Sequence, residues 1–218
     1  MKDLIILGTI GNCLDILDTV LALNEASAAP QYRIRGFLDD NQEFEGTSVE
    51  GYPVLGTLAQ AKQHADCVFI NGIGSFRNYW RKPQIIAQTG LPLSQFETVV
   101  HPNASVSRFA SLGHGTTVLQ NATISSRAQV GSHVIILPNA VISHDVQVGD
   151  HSCIASAACI AGNVRVGRMC YLGANCSVRN GVTLGDGCLV GMGAVVLGDV
   201  PEVTIVVGNP ARAIRSVC

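Results

Sequence analysis

Residues 136–159 read Ile136-Leu137-Pro138-Asn139-Ala140-Val141, Ile142-Ser143-His144-Asp145-Val146-Gln147, Val148-Gly149-Asp150-His151-Ser152-Cys153, Ile154-Ala155-Ser156-Ala157-Ala158-Cys159. An aliphatic residue opens each of these hexads. Stepping outward by six, the first slot holds Val, Leu or Ile from Val100 to Val196, seventeen times without a break. The fifth slot, from Ala104 to Val200, holds only Ala, Ser, Thr, Cys or Val. An amphipathic helix would repeat about every 3.6 residues and a half-buried strand every second residue. A period of six with one bulky and one compact slot predicts a β-solenoid built from hexapeptides. An antiparallel barrel or sandwich would show alternation between less regular turns.

Each hexad then supplies a short strand and a corner. The aliphatic residue fills the interior, and polar or glycine residues between the apolar slots supply the corner backbone. Coils stack so that each touches only its neighbours, and the two ends need caps. Residues 1–98 are expected to cover one end and the segment after Val200 the other.

The rest of the composition is consistent with this. Of the 218 residues 47% are apolar but only 5% aromatic, which suits a narrow interior with no room for rings. The formal charge is −2 and no basic stripe is present, which argues against a nucleic-acid partner. The early apolar run Leu4–Leu7 is too short for a signal segment or a membrane span, so a cytoplasmic protein is expected. None of the eight cysteines forms a CxxC pair, and Cys170, Cys176 and Cys188 fall in the compact slot as small apolar fillers. Reduced thiols rather than a disulfide framework are expected.

Residues 1–98 have a different periodicity. Asp3–Leu7, Tyr32–Leu38 and Cys67–Ile70 read as strands, Leu14–Leu23 as a helix, and Asn78–Gln88 as a helix disturbed by Pro83. This order suggests a small parallel α/β unit, ending near Gly90-Leu91-Pro92. Ligands of such sheets bind at the carboxyl ends of the strands. Three features fall there: the loop Gly8–Asn12, the pair Asp39-Asp40, and Gly72–Gly74. The loop opens a helix whose amides can hold a phosphate, although a tight strand-to-helix turn needs glycine in any case. Asp39-Asp40 fits a ligand contact or a turn that bonds its own backbone.

Within the repeat, His144-Asp145 is the only adjacent His–acid pair in that order. Imidazole changes protonation near neutral pH and suits a general base, and a carboxylate on its other nitrogen would fix the tautomer. A solvated corner histidine beside a turn aspartate fits the same spacing. His133 and His151 share the fourth slot of successive coils, and His114 lies one coil earlier in the third slot. That column suggests either a metal site or a metal-free ladder, at the surface or facing another copy of the chain, where it would make assembly sensitive to acid.

The repeat, the stretch Cys159–Val164 and the ending Val207-Gly208-Asn209-Pro210-Ala211-Arg212 resemble the hexapeptide-repeat acyltransferases. With an α/β unit in front, the chain is similar to the sialic-acid O-acetyltransferase and bacillosamine-type nucleotide-amino-sugar N-acetyltransferase group. The resemblance implies a Rossmann-like domain over 1–98, a left-handed parallel β-helix over 99–200 with three hexads per coil, and a C-terminal cap and tail over 201–218. It implies an acetyl-CoA-dependent N-acetyltransferase in surface polysaccharide or glycan synthesis, a homotrimer with the cofactor between subunits, and no metal. His144 would be the base and Asp145 its partner. Gly11, Asp39, Asp40 and Gly74 would contact the nucleotide-sugar, and Cys153, Gly162, Ala174, Met192 and Arg212 the CoA. O-acetylation of a sialic-acid-type sugar is the alternative. A metal-dependent lyase using the histidine column, or a non-catalytic sugar-nucleotide sensor, would be functions of another class.

Overall fold

The structure is a computed structural model that describes residues 1–217. From Val99 onward the chain winds as a left-handed parallel β-helix of about six turns. Every hexad gives a two-residue strand whose second residue is the aliphatic of the first slot, as in Val141–Ile142 and Gln147–Val148. Each strand pairs in parallel with the one eighteen residues on: Ile135 with Cys153, Val141 with Cys159, Gln147 with Arg165. Three sheets result, with their first strands at Val99–Val100, Ser105–Val106 and Ser111–Leu112, here called the first, second and third faces.

The interior is a single column of Val, Ile, Leu, Ala and Cys, nearly all of it removed from solvent. Burying each Val, Leu or Ile contributes about 1.5–3 kcal/mol. The corners turn at the fourth slot, which adopts left-handed backbone even where it is not glycine: Arg127 (φ 59°), His133 (55°), Asp145 (60°), His151 (63°) and Asn163 (60°). Asn and Asp visit that region at low cost, and the other residues are held there by stacking.

Before the solenoid, β1 (Lys2–Leu7), β2 (Tyr32–Leu38), the hairpin of β3 (Ser48–Val49) and β4 (Tyr52–Pro53), and β5 (Val68–Asn71) accompany α1 (Asn12–Ala26) and α2 (Lys82–Gln88). β2, β1 and β5 make a three-stranded parallel sheet in that order. Pro83 lies in the first turn of α2, where its missing N–H costs nothing, so the helix begins at the proline instead of being broken by it. The strands after Val200 close the far end: Thr204–Val207 extends the first face and Arg212–Ser216 pairs with it antiparallel. Among the described residues no helix is long and apolar enough to cross a membrane.

The N-terminal elements do not cap the near end of the solenoid, as expected, but lie along its first face. The Tyr79 ring sits 5.7 Å from that of Tyr171, and its hydroxyl donates to the Gly187 carbonyl at 3.1 Å. Lys82, fully buried, donates to the carbonyls of His133 (3.2 Å) and Ser152 (3.3 Å) on successive coils. Burial lowers its amine to about 8. His133 is buried under the edge of the Phe96 ring and stacks on His151 at 5.2 Å.

The histidine column therefore faces the chain's own N-terminal half, which corrects the expectation of a trimer-facing ladder. His133 and His151 lie in nearly parallel planes beside the Lys82 amine rather than converging on a point, and His114 is exposed. A cation there would meet a cation, so the lyase reading loses its ligand set.

Burial, then the mutual proximity of the two rings and Lys82, lowers His133 to about 4; burial, then Lys82, lowers His151 to about 4. Unfolded histidine titrates near 6.5, so the unfolded chain takes up the protons first. Their contribution is present above about pH 6.5 and is lost as pH falls towards about 4. Thermal unfolding across this range should show a steep loss of Tm, and the double variant His133→Asn, His151→Asn should show a shallower one. Parallel curves would exclude these rings as the cause.

Candidate active site

His144 and Asp145 stand on the edge between the second and third faces. His144 Nδ1 lies 2.8 Å from Asp145 Oδ2. Arg127, eighteen residues back in the same slot, reaches up with Nε 2.6 Å from Oδ1 and Nη2 2.8 Å from Oδ2. Arg127, then His144, holds the Asp145 carboxyl well below the usual carboxylate range. An ionised carboxylate only accepts, so His144 Nδ1 carries the proton and Nε2 offers its lone pair outward. The His144 side chain is 53% exposed, open to an incoming acceptor.

The imidazole lies against the next coil at Gly162. A Cβ built on Gly162 would come within 2.6 Å of the ring Cε1 and 2.7 Å of Nε2. Glycine is required here by close approach, and Gly162, expected as a cofactor contact, forms the bed on which the imidazole rests.

The second site is a cleft of about 350 Å³ at the carboxyl ends of the N-terminal strands. β1 ends in Gly8, the chain turns through Gly11 (φ 58°), and α1 starts at Asn12 with no side-chain cap on its first amides. The Cys13 and Leu14 amides turn back to the Ile10 and Gly11 carbonyls at 3.3 and 3.0 Å, so in this first turn it is the Asn12 amide that is left for an anion. Thr9 Oγ1 donates to Asp39 Oδ2 at 2.7 Å, which leaves the aspartate facing the loop. On the other wall, buried Asn71 pins the turn by bonding Ile73 through both its oxygen and its nitrogen. Asn12 Nδ2 donates to the Gly74 carbonyl at 3.2 Å and ties the two walls together. Gly74 (φ 153°) backs directly onto Lys82 and Ile135.

Gly11, Asp39 and Gly74 thus meet in one cleft. Asp40 does not join them: it turns away and accepts from the Leu58 amide at 2.9 Å, at the start of the short helix Leu58–His64.

The residues expected at CoA are scattered. Ala174 and Met192 line an apolar groove of about 350 Å³ with Phe76, Tyr171 and Leu189, at the edge between the first and second faces. Arg212 lies in a separate recess with Leu197 and Asp199. Cys153 is fully buried on the first face under the N-terminal elements, near Lys82, and has no surface for a ligand. Its slot points outward on every face, but only on this face is the outside covered.

Sequence reasoning missed Arg127, and reached Thr9 and Asn12 only as members of the loop Gly8–Asn12, without a role for either. Stepping back one eighteen-residue lap from Asp145 would have found Arg127.

Residues 127–162 match the family model "Bacterial transferase hexapeptide (six repeats)" and residues 163–197 the model "Hexapeptide repeat of succinyl-transferase". No curated protein sequence matches the chain. Several solved structures superpose over nearly its whole length. The acetyltransferase domain of PglB from Neisseria gonorrhoeae, also solved with acetyl coenzyme A, is 27% identical with a TM-score of 0.84, covering 98% of this chain and 100% of its own. PerB from Caulobacter crescentus, solved with CoA and GDP-perosamine, is 26% identical with a TM-score of 0.84, covering 99% and 98%. WeeI from Acinetobacter baumannii, 21% identical with a TM-score of 0.63 over 98% of this chain and 100% of its own, shares the fold. The resemblance read from the repeat therefore extends to the architecture of bacillosamine-type acetyltransferases.

Gly162→Ala should push the imidazole off its bed without disturbing the coil. Acetyl transfer should fall about tenfold or more, since small misplacements of a base are costly, while the Tm stays within a few degrees. Activity equal to the unaltered protein would show that the ring does not need this seat.

Proposed function

We propose that this protein is an acetyl-CoA-dependent N-acetyltransferase acting on a nucleotide-linked amino-sugar. The observation that carries this is the His144–Asp145 couple, with Nε2 open on the edge of a β-helix whose whole-length likenesses are PglB and PerB. PerB, solved with CoA and GDP-perosamine, favours an amine acceptor over a hydroxyl. His144 Nε2 takes the proton from the sugar amine as its nitrogen attacks the thioester carbonyl. Asp145 holds the ring in the tautomer that permits this and stabilises the imidazolium once formed. The proton then passes to the departing thiolate of CoA, so the step leaves the enzyme unchanged.

In this reading residues 1–98 are a reduced Rossmann-like unit. Its glycine turn and the Asn12 amide at the start of α1 hold the diphosphate, and Asp39 accepts from a hydroxyl or amine of the nucleoside. Residues 99–200 are the transferase helix and 201–218 its cap and tail. Acetyl-CoA lies along the apolar groove of Ala174 and Met192, and the reaction takes place in the cytoplasm. Arg212, in a separate recess, is available to the CoA phosphates, whereas Asp40 and Cys153 have no part.

We infer an assembly of several copies from an argument of position, and take their number as three from the resemblance to the hexapeptide-repeat acyltransferases. The nucleotide cleft belongs to elements packed on the first face, whereas His144 stands on the edge opposite that face. A sugar bound in the cleft cannot reach His144 of the same chain. The base must come from another copy, and a closed ring in which each cleft meets a neighbour's edge satisfies every copy alike.

Three experiments test this. His144→Ala should lower kcat by about 10²–10⁴ with the assembly intact. A panel of UDP-, GDP- and dTDP-linked amino-sugars should contain an acceptor, and transfer only to hydroxyls would overturn the amine reading. Third, His144→Ala chains mixed with Gly11→Asp chains, each inactive alone, should recover about one quarter of the activity, because half the clefts and half the bases are intact at random. A dead mixture would locate cleft and base in one chain.

A further inference from the structure

Arg127 has no part in the chemistry so far, yet it is the residue that touches Asp145 most. It sits one coil below, in the same left-handed slot, and meets the carboxylate with a two-bond fork while His144 shares Oδ2. Both oxygens of Asp145 are therefore engaged, and the carboxylate has one orientation instead of two. The backbone helps: the Asp145 amide donates to the Ser126 carbonyl at 3.1 Å, on the same lower coil that carries Arg127.

As a source of stability the pair counts for little. The Arg127 side chain is 70% exposed, and exposed ion pairs contribute little to folding. Its geometric effect is different, because a bidentate fork specifies direction as well as charge.

We propose that Arg127 is a positioning residue for the base, acting through Asp145: its fork aims the carboxylate at His144 Nδ1, and its charge moderates how strongly that carboxylate favours the imidazolium. This rests on the reading of His144 as the acetyl-transfer base. A carboxylate at Nδ1 attracts the imidazolium once it forms. A guanidinium on the far side of the carboxylate offsets part of that attraction while keeping the carboxylate ionised. Arg127, Asp145 and His144 form a relay of orientation that climbs from one coil to the next, with Gly162 as its ceiling.

The two contributions separate in variants. Arg127→Gln removes the charge and the fork. It should lower kcat about tenfold with little change in KM for either substrate, and move the acidic limb of the kcat profile to higher pH by roughly half a unit. Arg127→Lys keeps the charge without the fork, so the limb should stay in place while kcat remains reduced. In an Asp145→Asn background Arg127→Gln should have no further effect, since the two act as one unit. A readout independent of activity is the Nδ1–H proton resonance of His144. It should be sharp in the unaltered protein, absent in Asp145→Asn, and broadened in Arg127→Gln.

Wild-type kcat, profile and resonance in Arg127→Gln overturn the proposal. Lower activity with an unshifted limb and a reduced Tm also overturns it, by assigning Arg127 to the fold. If no acceptor is ever found, the acetyl-transfer reading fails while the resonance still decides whether Arg127 orients the couple.

Discussion

Everything in this molecule depends on the stacking of eighteen-residue coils through backbone hydrogen bonds. Each coil binds the next with an unshifted register, as in Ser143 to Ile160 at 3.0 Å and Ala161 to Val178 at 3.1 Å. The left-handed fourth slot lets this happen at the corners, where Asp145 bonds Ser126 and Asn163 bonds the His144 carbonyl, both at 3.1 Å. Because the lap length does not vary, residues eighteen apart stand directly above one another. An imidazole, its carboxylate, an arginine from the coil below and a bare glycine from the coil above are thereby brought within contact, with no long loop needed to hold them.

The second constraint is the seam between the N-terminal elements and the first face. A fully buried lysine without a carboxylate partner is costly. Here two carbonyls from successive coils accept its protons, and Gly74 leaves room for its side chain. Lys82 therefore sets the wall of the N-terminal cleft against the solenoid, and the stacked histidines and Phe96 fill the seam around it. The same seam fixes which edge of the prism is far from the cleft. Separation of the cleft from the His144 edge within one chain follows from it.

Much of the site was legible because it is local or periodic. His144 and Asp145 are neighbours, and the corner they occupy follows from the hexad frame. Gly11, Asp39 and Gly74 lie in the loops that follow the carboxyl ends of three strands of one parallel sheet, and so converge. Asp40, one residue further, points elsewhere because the Leu58 amide needs an acceptor, which nothing in its own stretch of sequence reveals. Cys153 and the histidine column were misjudged for one shared reason. Their slots face outward in the repeat, and the repeat does not say which outward face another part of the chain will cover.

By itself the sequence determined the solenoid, its lap and the interior column, because a strict period of six admits one way of burying a hundred residues. It also determined the existence of an imidazole–carboxylate corner and a glycine turn ahead of a helix. Only the tertiary structure decided the partners of that corner: Arg127 beneath, Gly162 above, and the cleft on the opposite side. Those relations join residues across stacked coils and across a domain seam, where contact depends on packing between elements and not on their spacing along the chain.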